Sequence, residues 1–331
     1  MEYRYLGRTG VKVSALCLGC LTLGREADEA TSQRIIGRYM EAGGNFLDTA
    51  NVYSRGRSEE IVGRAIQGHR DEIVLATKVC QRMGDGVNEV GLPRKHIMHQ
   101  VEESLRRLQT GYIDLYYLHC WDEATDLEET LRTLDDLIHA GKVRYWGISN
   151  FTGWQMALAM ATSKHRGLAR PTAVQPQYSL IVRDIEREVL PAAMALGLAV
   201  MAWSPLARGF LSGKYRRDEP PPANTRFRRG ATWQDAWKRW DKERNWRIID
   251  AVTEVARERS KTHAQVALNW LLQRAGVTAP IIGATSLEQL EENLGALGWK
   301  LTPEEVARLK DASSFELGYP YEFIRILHQD R

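Results

Sequence analysis

The sequence predicts an α/β protein of the (β/α)8 TIM-barrel class, and three observations carry that prediction. Eight short apolar runs alternate with helical stretches, starting at Leu16, Asn45, Ile73, Ile113, Val143, Thr172, Leu198 and Pro280; this order suits a closed parallel barrel. The runs are continuously apolar, as strands buried on both faces must be. A residue with chemistry to offer closes nearly every run: Asp48, Lys78, His119, Asn150 and Gln175, with Gly283 after the last. In a parallel barrel all strand C-termini meet on one face, so residues far apart in sequence converge there. A length of 331 residues suits one such domain, spanning 1–331, with loop insertions. The competing architecture is an open doubly wound sheet, but no G-x-G-x-x-G follows the first strand.

Taken in order, Tyr3 to Val13 around Gly7-Arg8-Thr9-Gly10 reads as an N-terminal β-hairpin. Helical spacing then marks 32–42, 58–67, 94–108, 127–140, 152–163, 184–196, 247–259 and 287–297. Ala42-Gly43, Ala140-Gly141 and Leu196-Gly197 suit left-handed helix ends. A long segment after the seventh strand, Lys214 to about Asn245, is rich in Pro, Arg and Trp. Its Trp233, Trp237, Trp240 and Trp246 predict a packed lid. Basic and aromatic residues interleaved this way also occur on single-stranded nucleic-acid surfaces, but the helical spacing of three of these tryptophans fits one packed face. Thr302-Pro303-Glu304-Glu305 is a capping box opening an extra C-terminal helix. Phe315 to Ile324 reads as non-helical chain folding back over the strand-end face.

Composition is that of a soluble globular protein, 44% hydrophobic and 26% charged, with a net charge of +3. Nothing in that balance calls for a nucleic-acid or membrane partner. The N-terminus lacks a charged-then-apolar leader pattern, and no run reaches membrane-spanning length, so the cytoplasm is the expected compartment. Cys17 and Cys20 form a CxxC inside an apolar run with no second CxxC, which argues for buried free thiols and against a metal site. Cys20, Cys80 and Cys120 fall near the strand-end face, making oxidation sensitivity a side expectation.

Asp48, Tyr53, Lys78 and His119 form the constellation with chemistry. A phenol is a poor acid near neutrality. A nearby ammonium favours the phenolate, a carboxylate can hold that ammonium, and a histidine can hydrogen-bond a carbonyl oxygen. Such a set protonates an oxygen as it gains charge, and needs a cofactor to supply hydride. Singly, Asp48 also reads as a loop cap, Tyr53 as surface packing and His119 as a satisfied core histidine.

At these residues the chain resembles the aldo-keto reductases. The resemblance runs through Phe46 to Tyr53, Ala76-Thr77-Lys78, Asp114 to His119, Gly147 to Phe151, Val174 to Leu180, Trp203 to Gly209, Leu211 to Tyr215 and Ile282 to Ser286, continuing at Gln289 and Asn293. The last segments are most similar to the branch holding bacterial general reductases and potassium-channel β subunits. The resemblance implies an extended nicotinamide cofactor, NADP(H) ahead of NAD(H), and a small carbonyl or alcohol substrate. It implies Tyr53 as general acid with Lys78 and Asp48 behind it, and His119 orienting the carbonyl. Ser149, Asn150 and Gln175 would hold the carboxamide, and Trp203 would stack on the nicotinamide. Ser204, Pro205, Leu206, Gly209 and Lys214 would line the pyrophosphate, with Arg226 closing over it. Gly283, Thr285, Gln289, Glu292 and Asn293 would take the adenosine end. Ser286 and Gln289 read equally as helix capping. Thr285 and Gln289 are neutral and Glu292 acidic, where many members carry a cation for the 2′-phosphate. Leu23, Trp121 and Tyr319 are expected at the substrate. A slow-turnover redox-sensing subunit is the alternative function; nothing in the sequence sets an oligomeric state.

Overall fold

A computed structural model describes residues 1–223, 225–228 and 233–327. A two-stranded antiparallel hairpin, β1 (Tyr3–Tyr5) and β2 (Lys12–Ser14), precedes the barrel strands β3 (Cys17–Gly19), β4 (Phe46–Asp48), β5 (Val74–Val79), β6 (Ile113–Leu118), β7 (Val143–Ser149), β8 (Ala173–Gln175), β9 (Ala199–Ala202) and β10 (Val277–Ile282). These eight close as a parallel barrel in chain order, β10 pairing with β3. The predicted strands are all present, the last beginning earlier than Pro280.

The barrel has two layers of packing. Inside, Phe46, Leu115, Tyr117, Met201 and Ala279 fill the lumen and meet Leu6 and Val13 of the hairpin, which stops the lower mouth. Gly7 makes this fit possible: its φ is 59°, and a Cβ there would lie 2.6 Å from the Thr172 carbonyl oxygen below β8. Outside, the helices bury their apolar faces on the strands: α1 (Glu29–Glu41), α2 (Arg57–Ala65), α3 (Arg94–Leu108), α4 (Leu127–His139), α5 (Gly153–Arg166) and α6 (Val189–Leu196).

After β9 the pattern is elaborated. The short helix α7 (Trp233–Lys238) leads to α8 (Glu243–Arg259). Phe210, in the turn after β9, lies 5.7 Å from Trp237 and 5.0 Å from Trp246 between ring centroids, and Tyr215 and Phe227 complete the cluster. Trp237 and Trp246 are buried, so these two of the four tryptophans are packed; residues 224 and 229–232 of the expected lid and the side chain of Trp233 lie outside the described residues. Next comes α9 (His263–Leu272), a helix the sequence reading did not include. Its signal is the Thr262/Gln265 capping box. It is buried almost all round, so it lacks a polar stripe to announce it. Then follow α10 (Leu287–Leu294), the predicted extra helix α11 (Pro303–Ala312) and α12 (Tyr321–Leu327). The last corrects the sequence reading: the tail is helical from Tyr321. The predicted 184–196 helix also splits, with a 3₁₀ turn at Asp184–Glu186 ahead of α6.

Among the described residues no helix is long and apolar enough to cross a membrane.

Candidate active site

The polar ends of β4, β5 and β6 converge as the barrel requires. Lys78, fully buried, donates all three of its ammonium hydrogens. They go to Asp48 Oδ1 at 2.5 Å, the Thr49 carbonyl at 2.7 Å and Tyr53 Oη at 3.2 Å. Asp48 has its other oxygen filled by Gln175 Nε2 at 2.7 Å. Burial disfavours the ammonium, but the Asp48 and Tyr53 interactions outweigh it and hold the Lys78 pKa above its ordinary value.

Tyr53 arrives from outside the sheet. It opens a 3₁₀ turn in which Ser54, Arg55 and Gly56 all take positive φ. This curl swings the phenol over the end of β5, with the Lys78 nitrogen 4.8 Å from its ring centroid. Burial is the largest influence on the phenol and raises its pKa; the Lys78 charge lowers it, as the sequence predicts, without overcoming burial. His119 stands edge-on to Tyr53, with ring centroids 5.9 Å apart. Desolvation, then the Lys78 charge, push its pKa down to about 3, so the imidazole is neutral near pH 7. Its Nδ1 is buried without a hydrogen-bond partner among the described residues.

A second layer ties these groups together. Asn150 holds φ 56°; its Nδ2 donates to the His119 carbonyl at 2.8 Å, and its Oδ1 accepts from Trp203 Nε1 at 3.1 Å. Ser149 Oγ donates to the Gln175 carbonyl at 2.8 Å. The sequence reading named Ser149, Asn150, Gln175 and Trp203 as cofactor contacts; it did not include the Gln175 hydrogen bond to Asp48.

The loop after β9 has the curled backbone that could hold an anion. Ser204, Ala207, Arg208, Gly209 and Gly213 all have positive φ, curling the backbone as anion-binding concavities do. Pro205 is buried and Leu206 half-buried beneath it. A Cβ on Gly209 would lie 2.6 Å from Lys214 Nζ, so only glycine leaves the ammonium this approach. Lys214 has no carboxylate partner among the described residues; partial desolvation and then the Arg226 charge lower its pKa. Because β10 pairs with β9, the loop after β10 lies alongside. There Gly283 faces open space, Asn293 Nδ2 donates to the Gly283 carbonyl at 3.1 Å, and Gln289 Oε1 accepts from Thr285 N at 2.9 Å. Ser286 caps α10, and Glu292 is half-buried. This run of residues fits an extended, doubly anionic dinucleotide: an aromatic face at Trp203, a cationic cradle at Lys214 and Arg226, and an open polar end at Gly283.

Two expected substrate residues are misplaced. Leu23 is fully buried, because the Leu23–Ala27 bridge folds its loop inward. Tyr319 is 87% exposed; Arg187 and Glu188 hold the neighbouring tail through Leu317 and Tyr321, leaving Tyr319 in solvent. Trp121 is half-buried and packs edge-on to Phe151 at 5.3 Å and Trp154 at 5.6 Å. Cys20 is fully buried, and burial raises its thiol well above the ordinary range.

The aldo/keto reductase family model matches residues 15–314. The chain belongs to the aldo/keto reductase family. It is similar to an uncharacterized oxidoreductase, YrpG, of Bacillus subtilis, with 40% identity over 94% of this chain and 95% of that protein. A probable voltage-gated potassium channel subunit beta of Oryza sativa is 36% identical over 94% of this chain and 96% of its own length. Norsolorinic acid reductase of Aspergillus flavus is 35% identical over 95% and 81%. The chain is accordingly an oxidoreductase.

Proposed function

We propose that this aldo/keto reductase reduces aldehydes and ketones to alcohols, reversibly, with NADP(H) ahead of NAD(H), and with Tyr53 as the proton donor. The observation that carries this reading is the direction of the Lys78–Tyr53 hydrogen bond. The phenol oxygen accepts from the ammonium at 3.2 Å, so its own proton is free for a substrate oxygen. When bound, the reduced nicotinamide supplies hydride to the carbonyl carbon. Neutral His119 donates to the carbonyl oxygen and aligns it. Tyr53 then transfers its proton to that oxygen, and Lys78 stabilises the phenolate left behind. Asp48 and Gln175 keep Lys78 in position, and solvent returns the proton to Tyr53. Trp203, Asn150 and Ser149 hold the nicotinamide end, and Ser204 to Gly209, Lys214 and Arg226 the pyrophosphate. Gly283, Thr285, Gln289, Glu292 and Asn293 take the adenosine. The Trp121–Phe151–Trp154 wall suits a flat aromatic carbonyl.

Tyr53→Phe tests the assignment: kcat for aldehyde reduction should fall by about 10²–10⁴-fold, with cofactor affinity within about twofold. Retention of most activity would remove Tyr53 as the acid. Equal NADPH and NADH affinities in a fluorescence titration would end the cofactor preference. The resemblance to a protein named as a channel β subunit supports a second reading, a slow-turnover regulatory subunit. NADPH that copurifies, with slow turnover across a carbonyl panel, would favour it.

A further inference from the structure

Two thiols that the proposed chemistry does not use face each other beside the site. Cys80 follows β5 and Cys120 follows His119 at the end of β6. Their Sγ atoms are 3.0 Å apart, although 40 residues separate them in sequence. Both are unbridged. The pairing follows from register: β5 and β6 run parallel, with Val79 opposite Leu118 and His119 N donating to the Val79 carbonyl at 2.8 Å, so the next residues of each strand emerge together. Cys80 is held there at φ 152°, a backbone region rarely used by non-glycine residues, and its carbonyl accepts from Gly91 N at 2.7 Å.

The two are not equivalent. Cys80 is buried, whereas Cys120 is half-buried and reaches the strand-end face. The hydrogen bond with Cys80, in which either sulfur can be the donor, lowers the Cys120 thiol to about 7, against desolvation and the Asp122 carboxylate. The same interaction, with burial, raises the Cys80 thiol. A half-buried thiol of lowered pKa, 3.0 Å from a buried second thiol, is the arrangement of a peroxide-reactive cysteine with its resolving partner.

We propose that Cys120 and Cys80 form a reversible dithiol–disulfide site, with Cys120 the thiol oxidised by a hydroperoxide and Cys80 the thiol that resolves it. The Cys120 thiolate attacks one peroxide oxygen, the O–O bond breaks, and the product is Cys120 sulfenic acid and one water. Cys80 then attacks the Cys120 sulfur, the S–O bond breaks, and a second water leaves as the disulfide forms. Two thiols and one hydrogen peroxide thus become one disulfide and two waters. The sulfur atoms need to close by only about 1 Å to reach bonding distance, about 2.05 Å. Cys17 and Cys20 are fully buried and serve as internal controls that stay reduced.

The test treats the full-length protein with dilute hydrogen peroxide at neutral pH, counts thiols after denaturation and maps non-reduced peptides by mass. The four thiols should fall to two. One peptide should link Cys80 to Cys120, and dithiothreitol should restore both thiols. Cys80→Ser should instead leave a sulfenic acid on Cys120 that dimedone traps, and Cys120→Ser should leave Cys80 unmodified. Four thiols remaining in the wild type, or oxidation of Cys120 to sulfinic acid without a link, would overturn the site. Oxidation of Cys80 in Cys120→Ser as fast as that of Cys120 in Cys80→Ser would overturn the division of roles.

Discussion

Two buried ion pairs lie against the same strand, β5, and only one belongs to the proposed site. Lys78 meets Asp48 at 2.5 Å, and Arg107 meets Glu59 at 2.6 Å; all four side chains are less than one-tenth exposed. Distance and burial do not distinguish them. Their remaining partners do. Glu59 has its other oxygen filled by Thr77 Oγ1 at 2.6 Å, and Arg107 turns its other nitrogens to Ser104 and Glu103 on its own helix. That network fastens α2 and α3 to the barrel and offers nothing further. Lys78 spends its third hydrogen on a phenol whose own proton is uncommitted, beside an imidazole with an unpartnered nitrogen. A buried charge pair is weak evidence of function by itself; a pair that ends on an incompletely satisfied acid is a stronger sign.

Substitutions that separate activity from stability sharpen this contrast. Lys78→Met should lower kcat of the folded enzyme by about 10²–10⁴-fold, measured as NADPH consumption per folded molecule. Arg107→Met should destabilise by about 3–5 kcal/mol, because it strands Glu59, while the folded fraction keeps kcat. Urea unfolding followed by kinetics at low temperature reads both, and a tenfold kcat loss in folded Arg107→Met would collapse the distinction. His119 provides a pH-dependent version. Its folded pKa lies below the unfolded value, so its contribution to stability is complete above about pH 6.5 and is lost as pH falls toward about 3. In that window the unfolded chain binds the extra proton, and stability should fall by at most about 1.4 kcal/mol per pH unit. His119→Gln should flatten that limb in urea titrations, and an unchanged slope would show that His119 is not buried neutral. The smallest effect is expected at the exposed end. Lys214→Met should weaken NADPH binding by about tenfold, with a shallower salt dependence than the wild type; unchanged affinity would remove Lys214 from the pyrophosphate.

The barrel was legible because strands buried on both faces leave continuous apolar runs, and its strand-end residues could be listed before any were placed. Asp48, Lys78 and His119 each close a strand, so their directions follow from topology. Loop residues lack that guide. Leu23 turns inward through a single bridge to Ala27, and Tyr319 points outward because its neighbours are anchored on either side. The Cys80–Cys120 pairing was hidden for a related reason. It depends on the β5–β6 register, which no local pattern states, whereas the CxxC that local pattern does display, Cys17 and Cys20, is sealed in the core. The α9 helix shows the reverse limit: an all-apolar helix leaves periodicity nothing to detect.

The plug at the foot of the barrel also gives the molecule a blind side. Tyr3, Tyr5 and Lys12 are exposed on the hairpin, behind the packed lumen and opposite the strand-end face. A resin, electrode or carrier coupled through an anchor at Lys12 would hold the catalyst with its mouth turned to the solution. The same coupling made near exposed Trp154, which packs on Trp121, would press that mouth against the support.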